Sequence, residues 1–192
     1  MFRFSPEKLI DAVDHMLRRV GPCTRMKLVK LLYMADRYHV VRHGTPVLGD
    51  SYYRLPWGPV PSRTLDLLEA TADVAAADPE VEADEVSRRL LARVEVSNAQ
   101  SKYATYSSRG VESAGHLSAS EVEALDAAAE KFGGMSATDL SKLTHTHKAF
   151  LETQSQREID YKLFFLDEPG ARPEALQYLT MAQEDHSLLL GL

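Results

Sequence analysis

This 192-residue chain has one cysteine and one tryptophan, and no run of about 18 apolar residues. A lone thiol, Cys23, cannot close an internal disulfide, which points to a reducing compartment. Without a long apolar run, no membrane-spanning helix is expected. The first residues, MFRFSPEKLIDAVDHML, carry charges where a signal peptide needs an apolar core, so the expected location is cytoplasmic. Also missing are a phosphate loop, a dinucleotide fingerprint, a zinc-type cysteine pair and a Gly-x-Ser-x-Gly elbow. No cofactor is expected.

What is present suits a globular chain, with 44% hydrophobic residues and a net charge of -6. The charge is unevenly spread. Residues 1–63 hold 11 Lys/Arg against 5 Asp/Glu, residues 64–100 hold 3 against 9, and residues 101–192 hold 8 against 14. A basic first third beside an acidic remainder either steers an anionic partner or lets the two parts cover one another.

Local signals predict a mainly helical α+β protein, a single domain over 1–192 with a small antiparallel sheet or hairpin packed on it. Ser5-Pro6 reads as a helix start. Thr24 caps a second helix ending at His43-Gly44. Tyr52-Tyr53-Arg54 favours a short strand stopped by Pro56, and a third helix starts at Pro61 or Ser62. Residues 73–86 read as an acidic loop or fraying helix end. A hairpin is predicted over about 92–107, with Tyr52-Tyr53 as its third strand. Ser118 and Glu121 form a capping-box pattern, Ser136 starts another helix, and Pro173 opens the last. The apolar end His186–Leu192 either closes that helix or docks on a partner or a second copy of the chain.

Three sets of residues invite chemical readings. Asp36 and His39, three apart on a helix, with His145, could be imagined as a metal or acid–base set; ordinary hydrogen bonds explain them as well. Lys27, Lys30, Arg37 and Arg42 give the helix over 26–42 a basic side, as in a DNA-binding regulator, but the acidic remainder argues against nucleic acid. Tyr52, Tyr53 and Trp57, among Pro56, Pro59 and Pro61, suit either a protein-binding surface or a core cluster. Cys23 reads as a small packed hydrophobe.

The order of the motifs goes further. Lys27-Leu28-x-Lys30-Leu31-Leu32-Tyr33, Tyr38-His39, His43-Gly44-x-Pro46, Gly49-Asp50-x-Tyr52-Tyr53 and Trp57-Gly58-Pro59-Val60-Pro61 resemble the Panacea domain, also described as SocA-like or GepA-like. The close match covers residues 24–65. A looser echo follows in Ser118-x-x-Glu121, Leu143-Thr144-His145 and Phe150. The resemblance implies a bacterial or phage antitoxin, not an enzyme. It would neutralise a toxin encoded nearby through direct contact, or deliver it to a ClpXP-type protease. No catalytic or metal residues carry over. Lys30, Arg37, Tyr52, Trp57 and Arg63 are the expected partner contacts, with Tyr33 and Tyr53 expected inside.

Overall fold

The computed structural model describes residues 2–77, 83–111 and 115–190, with the backbone alone over 185–190. Its elements are α1 (Pro6–Val20), β1 (Cys23–Thr24), α2 (Arg25–His43), β2 (Tyr52–Leu55), β3 (Gly58–Pro61), α3 (Ser62–Ala76), α4 (Glu85–Leu91), β4 (Val94–Ser97), β5 (Thr105–Ser108), α5 (Ala119–Phe132), α6 (Ala137–His145), α7 (Lys148–Leu151), a 3-10 helix (Tyr161–Leu166) and α8 (Pro173–Leu190). The architecture is α+β and mainly helical, as the sequence pattern predicts.

The helix boundaries follow from local chemistry. Ser5 Oγ accepts the Lys8 N–H ahead of Pro6, and Thr24 Oγ1 accepts the Lys27 N–H. Ser118 and Glu121 close a full capping box on α5. Each arrangement satisfies amides that the first turn leaves without a helical acceptor. Gly44 ends α2 in the left-handed conformation at φ 74°. A Cβ there would also meet the Ala175 carbonyl at 2.6 Å, so glycine is needed for α8 to pack across the end of α2.

α2 is the axis of the molecule. It packs against α1, α5, α6, α8 and the 3-10 helix, and buried residues occupy all its sides, including Leu28, Val29, Leu31, Leu32, Tyr33 and Met34. A helix buried all round cannot show a one-sided apolar stripe.

Two small sheets flank this axis. The first has the order β1-β5-β4, antiparallel, with Cys23 opposite Tyr106 and Val96 opposite Tyr106 on its other side. Its third strand is therefore β1, not Tyr52-Tyr53 as expected. Tyr52-Tyr53 instead pairs with β3 across a two-residue Pro56-Trp57 turn, Tyr52 opposite Pro61 and Leu55 opposite Gly58. Closing so short a loop costs little chain entropy. The two prolines of β3, which lack N–H donors, hid this strand in the sequence.

The acidic loop expected over 73–86 is shorter at both ends, since residues 73–76 are the last turn of α3 and residues 85–86 open α4; residues 78–82 lie outside the described residues. For the apolar end His186–Leu192, the side chains and all of residues 191–192 lie outside them too.

Candidate functional site

The signature segment builds a β-hairpin whose tip stands on α2 and α6. Lys30 projects from α2 and is fully buried, and its Nζ donates to the Pro59 carbonyl at 2.6 Å. Burial pulls the Lys30 ammonium down to about 7, because a charge without water is costly. Gly58, at φ 98°, leaves no room for a side chain: a Cβ would lie 2.5 Å from Thr144 Oγ1 and 2.9 Å from Lys30 Nζ. From α6, Ser141 Oγ donates to the Trp57 carbonyl at 2.9 Å, and His145 Nε2 lies 3.0 Å from the Pro56 carbonyl. The turn's backbone is thus held from below while the Trp57 side chain is 68% exposed.

Beneath the hairpin lies an aromatic cluster. The Tyr33 ring meets Tyr52 at 5.3 Å and Phe164 at 5.5 Å, both edge-on, and stacks on His147 at 5.8 Å. Burial drives the His147 imidazole down to about 3, so it stays neutral. Asp36, also fully buried, accepts the Val47 and Leu48 amides on Oδ1 at 2.7 and 3.2 Å and the Tyr52 hydroxyl on Oδ2 at 2.8 Å. Burial pushes its carboxyl up to about 7, against those hydrogen bonds. Asp50 accepts from the Arg63 and Thr64 amides and the Thr64 hydroxyl, anchoring the start of α3.

Among the five expected partner contacts, three lie inside the fold. Lys30 and Tyr52 are fully buried. Arg37 is 2% exposed, donates to Asp167 at 2.6 Å, and sits 5.8 Å from the Tyr33 ring centre and 5.9 Å from that of Phe164. The same Asp167 accepts the Lys148 amide at the start of α7, so one carboxylate ties α2 to α7. Trp57 and Arg63 are exposed, and Arg63 rests on the Phe4 ring. Tyr33 is buried as expected, but Tyr53 is only half-buried: Tyr52 takes the inward position, because successive strand residues face opposite sides.

The residues of the chemical sets make hydrogen bonds within the fold. His39 bonds to the Thr45 carbonyl and Ser120 Oγ, and His145 to the Ser141 and Pro56 carbonyls, while Asp36 is filled as described. No group of three or more metal-ligating side chains is assembled among the described residues. Burial pushes the Cys23 thiol up to about 11, away from the nucleophilic thiolate. The basic side of α2 is not a continuous exposed face. Lys30 and Arg37 point inward, Lys27 donates to the Gly133 carbonyl, and Arg42 reaches the Pro169 carbonyl while lying 3.5 Å over the Tyr38 ring.

Two residues that sequence reasoning missed complete the surroundings of the tip. Arg54 lies 4.5 Å over the Phe150 ring, which touches the His145 ring at 4.3 Å. Arg157 pairs with Arg54 through the backbone, Arg54 N–H to Arg157 O at 3.0 Å. Arg157 sits in the polar run TQSQRE, which has no periodicity to mark it.

The family model described as "Antitoxin SocA-like, Panacea domain" matches residues 28–150, and the chain belongs to that family. The match spans α2 to α7 and includes the whole hairpin and the α6 residues that hold its tip. No curated protein and no solved structure matches the chain. Among the described residues, no helix is long and apolar enough to cross a membrane.

Proposed function

We propose that this chain is a cytoplasmic antitoxin that neutralises a cognate toxin, encoded beside it, by direct protein contact. Membership of the antitoxin SocA-like family carries the reading. It is supported by an exposed, firmly held tryptophan within the matched segment and by Asp36, His39 and His145 being spent on structural hydrogen bonds. A DNA-binding role for the helix over 26–42 is less well supported, because two of its cations are turned into the fold.

Co-expression with the product of the adjacent gene tests the reading. The expected result is restored growth and a complex that co-purifies. A neighbour that is harmless alone, together with no co-purification, would overturn it. Delivery of the bound toxin to a ClpXP-type protease is a separate step, and it predicts that the toxin's half-life shortens only when the protease is present.

A further inference from the structure

Large exposed apolar side chains gather in two main places among the described residues. One is α8 and the end of the 3-10 helix, with Leu166, Tyr178 and Met181; the other is the hairpin tip, with Trp57, together with Leu151, next in sequence to the Phe150 that packs on His145. Nothing shows what would cover the first. The second is marked by three independent observations.

Its backbone is fixed. The Trp57 and Pro59 carbonyls accept from Ser141 and Lys30, and the His145 ring lies against the Pro56 carbonyl, so an exposed Trp57 starts from a set position and loses little backbone freedom on binding. A rigid tryptophan is the side chain most often found at the energetic centre of a protein interface.

It is continuous with a cationic edge. The His145 ring that holds Pro56 packs on Phe150, Phe150 lies under Arg54, and Leu151 beside it is 53% exposed.

That edge carries an unbalanced charge. Tyr53 is bridged to Glu158 in antiparallel register and the Arg54 N–H bonds to Arg157 O, but Gln156, not Arg157, donates back to Arg54 O, so Arg54 faces a bulge of Gln156 and Arg157. Neither arginine belongs to any ion pair among the described residues, and the Arg54 guanidinium donates to the uncharged Thr153 carbonyl. Glu158, one residue on, belongs to the opposite face and accepts from Ser51. A carboxylate from outside would supply the missing countercharge and match the planar donors of a guanidinium.

We propose that the Trp57 tip and the neighbouring Arg54 and Arg157 form one docking surface for the toxin, Trp57 entering an apolar pocket and the arginines taking a carboxylate at its rim. This deepens the antitoxin reading and rests on it. Calorimetric titration of the full-length chain with the purified product of the adjacent gene tests it. The wild-type chain should bind more weakly as salt rises. Trp57→Ala should weaken binding at least 100-fold, and Arg157→Glu at least tenfold with a flatter salt dependence, both with unchanged melting temperature. Met181→Ala on α8 should bind like wild type. Wild-type affinity in both Trp57→Ala and Arg157→Glu, or loss only in Met181→Ala, would overturn the surface while leaving the antitoxin reading in place. If the wild-type chain itself neither binds nor rescues, the reading falls and the surface with it. Should Trp57→Ala fold poorly, Arg157→Glu decides alone, since its side chain lies exposed at the edge.

Discussion

Lys30 Nζ reaches the Pro59 carbonyl at 2.6 Å and also stands where a side chain on Gly58 would go. A buried amine from the central helix thus sets the backbone of the turn that presents Trp57. The glycine and the lysine are matched parts, one leaving the space and the other filling it.

Gly58→Ala should therefore be disproportionately damaging. The added methyl must displace Thr144 Oγ1 and Lys30 Nζ, and the residue must hold φ 98°, a region that side chains disfavour. Strain and overpacking together should cost about 2–4 kcal/mol. Urea denaturation measures it. A midpoint equal to wild type would show that the tip relaxes freely.

Lys30 also predicts a pH dependence. Its ammonium is lowered from 10.5 to about 7, so between those values the unfolded chain holds a proton that the folded one has released. Stability attributable to Lys30 should therefore rise with pH from about 7 to about 10, at no more than about 1.4 kcal/mol per pH unit. Buried tyrosines pull the other way near pH 10, so the informative quantity is the difference between wild type and Lys30→Met. That difference should favour wild type increasingly between pH 7 and 9.5. A flat difference would mean that the amine stays protonated in the fold.

Asp36 has the opposite sign. Its carboxyl is raised from 3.8 to about 7, so the folded state holds the extra proton. The corresponding stability is present below about pH 4 and lost as pH rises through about 7. Asp36→Asn keeps an oxygen for the Val47 and Leu48 amides and should remove this decline, as seen by thermal melts from pH 4 to 8. Asp36→Ala strands both amides and the Tyr52 hydroxyl, and should cost about 3–5 kcal/mol. Equal losses in the two variants would show that the side chain's oxygens do not hold the loop.

The helix ends were legible in the sequence because their chemistry is local: Ser5 before Pro6, Ser118 three residues ahead of Glu121, Gly44 at φ 74°. The burial of Lys30 and Arg37 was not legible. Cations are rarely buried unless partnered, and these find their partners in Pro59, 29 residues away, and Asp167, 130 residues away. β1 is two residues long, too short for any alternation to show. For Tyr52 and Tyr53 the alternation was visible but not its parity, which the pairing of Tyr52 with Pro61 sets. At the candidate site, Trp57 was legible as a lone tryptophan in a rigid turn. The backbone bond that brings Arg157 to Arg54 comes from a segment about a hundred residues downstream, a separation that no local pattern reports.

The central claim is neutralisation by contact, and its most direct test contains only two proteins. The purified chain is added in increasing amounts to the purified product of the adjacent gene, and the toxin's activity is followed with no protease present. The account predicts loss of activity that saturates as a stoichiometric complex forms. Full toxin activity at saturating chain would contradict it.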